Sequence, residues 1–202
     1  RSTPLYSSAA SDVYKRQHFD VHEVEVRSGV VAPARLPRGV FFETSNPRGR
    51  NLIVFMGEAQ PTTGTFDYAR ELITKAQEMG VERVVTFASM ASGLHPSENP
   101  KVVGVANDPA MVAELQRAEV EPMGEGHIGG LNGVLLAAAA DRGVPGLSLL
   151  AEIPFFAAAV PNPKAARAAL SVFSVLANIN ISLKELNKHA VAVDRALIDA
   201  LE

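Results

Sequence analysis

The sequence predicts a three-layer α/β/α domain with a mostly parallel central sheet, and three observations carry that expectation. Short, dominantly apolar runs at Leu52–Met56, Val84–Phe87 and Leu147–Leu150 have the length and character of strands buried on both faces. Stretches of helical period separate them. Turn and cap residues mark the joins. A buried strand, a helix and a second buried strand in succession form the right-handed crossover of a parallel sheet, so the three runs are expected side by side in one sheet.

In chain order, Arg1–Gln17 has no helical or strand periodicity and no apolar core of a signal peptide. It reads as a sequencing-adapter scar, a tail apart from the domain that occupies 18–202, whose own N-terminus is then truncated. Phe19, Val21, Val24 and Val26 alternate with polar neighbours, as edge strands with one wet face do. RGVFFET (38–44) is a further short strand, and SNPRGR a turn rich in breakers.

NLIVFMGE supplies the first buried strand. The next helix repeats Phe66, Ala69, Ile73, Ala76 and Met79, with Thr63 or Thr65 as its cap and Gly80 at its end. VERVVTFASMASG is the second buried strand and KVVGVAND a short one. Asp108 and Pro109 open a helix through MVAELQRA. VEPMGEGHIGG is a strand ending in a glycine-rich turn, followed by the Ala- and Leu-rich helix LNGVLLAAAADRG. VPGLSLLAEIP is the third buried strand. Two helices close the chain, one capped by Asn162 with Pro163, the other by Ser182 and Glu185 as a capping box.

Composition narrows the function classes. The 202 residues suit one domain, 47% hydrophobic and 20% charged, as in ordinary globular proteins. The net charge of -3 gives no nucleic-acid footprint. Arg35, Arg38, Arg48 and Arg50 gather in one stretch, but Pro33, Pro37, Gly39 and Pro47 interrupt it, as in a solvated loop edge. Without cysteine there is neither disulfide nor thiolate chemistry. The longest apolar stretch is broken by Asp141, Arg142, Gly143, Pro145 and Glu152, so no membrane span is expected. The reading is a cytoplasmic protein with protein partners and no cofactor.

Candidate site residues are few. Gly124-Glu125-Gly126-His127-Ile128-Gly129 matches G-x-G-x-x-G between a strand and a helix, with Glu152 ending the next strand, which on paper is a dinucleotide fingerprint. The preceding strand is short and polar, and Glu125 would repel a pyrophosphate. A turn permitting close strand–helix packing is the competing reading. His18, Asp20, His22 and Glu23 have strand spacing that places three potential metal ligands on one face, without a further ligand to complete a site. Glu58, His127 and Glu152 stand at strand ends, where open α/β sheets gather ligands, and are the candidates for acid–base work. The competing reading ties both acids to backbone N–H groups and leaves His127 in solvent. No nucleophile elbow or phosphate-binding loop motif is present.

GVLLAAAADRGVPGLSLLAEIPFFAAAVPNPKAARAAL, with LIVFMGEAQP, MGVERVVTFAS and VVGVANDPAMVAEL, resembles the proteasome assembly chaperone 2 family from about Val30 to Leu201. The resemblance implies a fold similar to nucleoside phosphorylases and hydrolases and a non-catalytic, assembly-chaperone-like role in a homo-oligomer. It leaves as alternatives a binder or enzyme for a nucleoside-like or carboxylate substrate, under the ATP-grasp or ligase label some relatives carry, and a dinucleotide-binding domain.

Overall fold

The computed structural model describes residues 19, 24–32, 37–46 and 49–201. The scar-like segment and the His18, Asp20, His22 and Glu23 group lie outside the described residues, as do Arg35 and Arg48. Two short strands, β1 (Val26–Arg27) and β2 (Val30–Val31), pair antiparallel around Ser28 and Gly29, both at positive φ, as a tight right-twisted hairpin requires. A second antiparallel pair joins β3 (Gly39–Thr44) to β4 (Leu52–Gly57), in register from Gly39 opposite Gly57 to Thr44 opposite Leu52.

After α1 (Thr65–Glu78), β5 (Val84–Ser92) enters the main sheet, followed by β6 (Val102–Ala106), α2 (Pro109–Arg117), β7 (Glu121–Pro122), α3 (Gly130–Asp141) and β8 (Gly146–Pro154). The strand order is β5-β8-β6-β7. The pairings β5–β8 and β6–β7 are parallel and β6–β8 is antiparallel, so the sheet is mostly parallel, as expected. A 3-10 turn at Phe155–Ala157, then α4 (Pro163–Leu176) and α5 (Lys184–Asp199), complete the chain.

Alternation along the strands sorts the core into layers. Val85, Leu147 and Leu149 point to α2 and α4, where they meet Leu115, Val172, Phe173 and Leu176. Further along β8, Ala151 and Ile153 meet Ala165 and Ala169 of α4. On the opposite face lies α3, and the Thr86 hydroxyl donates to the Asn132 carbonyl there at 3.4 Å. Helix α1 packs on α3 and on the β3–β4 hairpin through Tyr68, Ala69, Leu72 and Ile73, with Phe41, Ile53 and Phe55 from the strands and Phe19 edge-on to Tyr68. Helix α5 rests on α4 and buries only Ala190 fully.

The run Leu52–Met56 departs from expectation. β4 pairs with β3 rather than with β5 or β8, and only one of its faces is covered. Ile53 and Phe55 reach the core, whereas Val54 and Met56 are exposed. An antiparallel ribbon needs only one covered face, so an apolar run does not by itself decide two-sided burial. The β8 run meets the expectation fully, from Leu147 through Leu150.

Caps explain where helices begin and end. Asp108 Oδ1 accepts from Ala110 N at 2.7 Å and Asn162 Oδ1 from Ala165 N at 3.0 Å, each followed by proline, as predicted. Neither Thr63 nor Thr65 is the cap of α1, since Gly64 holds that position. Ser182 and Glu185 form no capping box, because α5 starts after Leu183. At the other ends, Gly80 and Gly143 adopt positive φ as the chain leaves α1 and α3, and the next N–H returns to the helix: Val81 to Ala76 O at 3.0 Å, Val144 to Ala139 O at 2.8 Å. Helix α2 closes in the same way through Glu119 at φ 58, a left-handed conformation that disfavours a side chain. Glu119→Gly is therefore expected to stabilise the protein by about 1 kcal/mol, read as a higher urea midpoint with unchanged slope.

Candidate functional site

The candidate residues fall in three places: Glu58 just past β4 of the two-stranded ribbon, Glu152 near the end of β8, and His127 in the turn between β7 and α3. Gln60, just past β4, reaches the start of α3, where its Oε1 accepts from Leu131 N at 3.0 Å. The segment 93–101 after β5 crosses to the end of β8.

The two acids are held alike. Arg38 N donates to Glu58 Oε2 at 2.9 Å, and Glu58 N returns to Arg38 O at 2.8 Å. Lys101 N donates to Glu152 Oε2 at 3.0 Å, and Glu152 N returns to Lys101 O at 2.9 Å. In both cases the acid follows the last residues of its strand pairing and takes the main-chain N–H just before an antiparallel neighbour begins. A carboxylate is a strong acceptor for such an otherwise unmatched N–H. Glu58 also faces the Arg38 guanidinium, with Nε at 3.5 Å. Arg50 pairs with Glu82, so the two described arginines of the basic stretch each have an acidic neighbour.

His127 is exposed in the glycine-rich turn and shares no hydrogen bond with Glu58 or Glu152. The structure therefore ties the two acids to backbone and does not join them to the imidazole. Gly124 and Gly126 lie in the same exposed turn, after β7, a two-residue strand at the sheet edge rather than a buried parallel one. Gly129 is the cap residue of α3. Gly133 does sit in the first turns of α3, but what crowds it is the preceding loop: a Cβ there would collide with the Ile128 carbonyl oxygen. Gly133→Ala is expected to cost about 1–3 kcal/mol. Gly129→Ala, with open space at its Cβ, should be near neutral. Equal thermal midpoints for both variants would refute the close contact at Gly133.

Two further groups lie near the ends of β5 and β8: His95, a strand-end histidine like His127, and Lys164, which the sequence did not single out. His95 Nδ1 lies 2.7 Å from Ser97 Oγ in a local turn, with Glu98 Oε2 accepting from His95 N at 3.0 Å. Lys164, in the first turn of α4, is nearly buried, with its side chain 11% exposed. Its Nζ donates to the Pro96 carbonyl and to Glu98 O at 3.2 Å and pairs with Asp194 Oδ2 at 2.6 Å. The available signal was a cation at the positive end of a helix, where the dipole disfavours it. Among the described residues, no three His, Asp or Glu side chains gather to hold a metal ion, and no helix is long and apolar enough to cross a membrane.

Comparison with known proteins fixes the family. The PAC2 family model matches residues 10–201. The chain belongs to the PAC2 family. That match begins inside the segment read as a tail. A solved PAC2 family protein from Streptomyces avermitilis is 26% identical, with a TM-score of 0.78 over 95% of this chain and 82% of that one. The Mycobacterium tuberculosis proteasome-assembly chaperone homologue Rv2125 shares the fold at 19% identity, with a TM-score of 0.78 over 94% of this chain and 82% of that one. Among curated proteins, the uncharacterized protein MJ1210 of Methanocaldococcus jannaschii is 29% identical over 147 residues, 71% of this chain and 55% of the relative. The chain spans about half the length of the curated relatives it matches. The PAC2 relatives thus agree with the mixed α/β architecture and its helix-covered, mostly parallel sheet.

Proposed function

We propose that this PAC2 protein is a non-catalytic, assembly-chaperone-like binder of other proteins, including further copies of itself, working in the cytoplasm. The observation that carries this reading is the aromatic pair at the end of β8. Phe155 is 69% and Phe156 43% exposed, their rings edge-to-face at 5.7 Å, and Val160 beside them in sequence is 46% exposed. Aromatic side chains are enriched at protein interfaces, and apolar groups clustered in water mark such contacts. The proteasome-assembly chaperone homologue with the same fold supports a partner of the proteasome-subunit class. The engagement of Glu58 and Glu152 with main-chain N–H groups supports a structural role for both acids.

The test mixes the purified protein with proteasome core-particle subunits and reads complexes by size exclusion with light scattering. Parallel thermal-shift measurements use nucleosides, phosphate and NAD. A protein complex, with small molecules leaving the melting temperature unchanged, is the expected result. A nucleoside or NAD adding about 2.7 kcal/mol at one hundred times its Kd, with no protein complex formed, would replace this reading by that of a small-ligand binder.

A further inference from the structure

The Asn162-Pro163-Lys164 run does two jobs. Asn162 and Pro163 start α4, as their chemistry dictates. Lys164 instead breaks a local rule by placing a cation at the helix's positive end, and it does so nearly buried. An ammonium has three N–H donors. Here they have three acceptors: the carbonyls of Pro96 and Glu98, and the Asp194 carboxylate. The first two belong to the segment 93–101 at the edge of the sheet, the third to α5. One side chain therefore ties together two pieces that are far apart in sequence.

Both pieces are otherwise lightly held. Segment 93–101 is organised largely by its own contacts: Leu94 N to Ser92 Oγ at 3.2 Å, His95 N to Glu98 Oε2 at 3.0 Å and Glu98 N to His95 O at 2.9 Å. Its far end is fixed to β8 through Lys101 and Glu152. Helix α5 buries only Ala190 fully, and its other described side-chain hydrogen bond to α4 is Arg167 to Asn187 at 3.2 Å. Among the described residues, Lys164–Asp194 is the one ion pair joining α5 to the rest of the molecule.

We infer that Lys164 is a positioning residue that couples the seating of α5 to the conformation of segment 93–101. With α5 on α4, Asp194 balances the ammonium and holds it where Pro96 and Glu98 can accept from it. When α5 is drawn away, the charge is left without its counter-ion in a nearly dry position, turns toward water and releases the two carbonyls. A partner engaging α5 would thereby loosen the segment at the sheet edge without touching it.

Hydrogen–deuterium exchange on the full chain tests this coupling. Asp194→Asn, nearly isosteric, is expected to speed exchange of the 93–101 peptide at least tenfold while the β3–β4 peptide stays unchanged. Ala190→Asp unseats α5 at the residue it buries fully, with Lys164, Asp194 and the segment unaltered, and should open 93–101 to a similar degree. In a Lys164→Met background, Ala190→Asp should add nothing further to exchange in 93–101. If Asp194→Asn leaves 93–101 at its wild-type rate, or if Ala190→Asp frees α5 alone, the coupling is overturned. Should Ala190→Asp fail to fold, the Asp194→Asn result decides by itself.

Discussion

Asn107→Ala should lower stability by about 2–4 kcal/mol, which for a chain of this size is a fall in melting temperature of about 5–15 °C. Asn107 follows β6 and joins three main-chain pieces. Its Oδ1 accepts from Gly146 N at 2.8 Å, and its Nδ2 donates to Leu136 O at 3.2 Å and Val144 O at 3.0 Å. It thereby ties the last turns of α3 to the first residue of β8. Truncation removes the side-chain partner of Gly146 N and a donor from the Val144 and Leu136 carbonyls, the last of which keeps its helical bond, and the cost of an orphaned group exceeds the modest net gain of forming the bond. Asn107→Asp should be no better, since it replaces the donor by a carboxylate facing two carbonyl oxygens. A melting temperature within about 1 °C of wild type for Asn107→Ala would show that water takes over these bonds without loss.

Asp194→Ala carries the second large effect, a loss of about 3 kcal/mol in urea denaturation. Breaking one partner of a buried pair strands the other charge, and the side-chain exposures of 11% for Lys164 and 22% for Asp194 place this pair near the lower end of the usual range. The Lys164→Met/Asp194→Leu double variant should recover most of the loss, because apolar side chains of similar volume need no counter-ion. The measurement is a double-mutant cycle, with a coupling term of at least about 1 kcal/mol expected. Additive single effects would mean that the two side chains act independently.

Local chemistry was legible in the sequence, and pairing across the chain was not. Asp108-Pro109 and Asn162-Pro163 marked helix starts correctly because a cap acts over two or three residues. The Ser182–Glu185 box failed although its spacing is right. A cap contributes only about 1 kcal/mol, and packing on α4 sets where α5 begins. Leu147–Leu150 announced a buried strand, while the similar run at Leu52–Met56 lies in a two-stranded ribbon. Hydrophobicity gives a strand its character but does not name its neighbour.

The same division runs through the candidate site. Glu58 and Glu152 were visible as acids at strand ends, but their partners Arg38 and Lys101 lie 20 and 51 residues away and appear only once the register is known. The sequence reading singled out neither Asn107 nor Lys164. What makes them structural is the convergence of distant carbonyls and amides, which leaves no periodic trace.

The most direct measurement of the proposed role is the affinity for proteasome subunits of wild type against the Phe155→Ser/Phe156→Ser variant. Both rings are substantially exposed, so the variant should keep the wild-type melting temperature to within about 2 °C. Protein binding through this surface requires at least a roughly tenfold weaker Kd in the variant. Equal affinities for two equally stable proteins would contradict it.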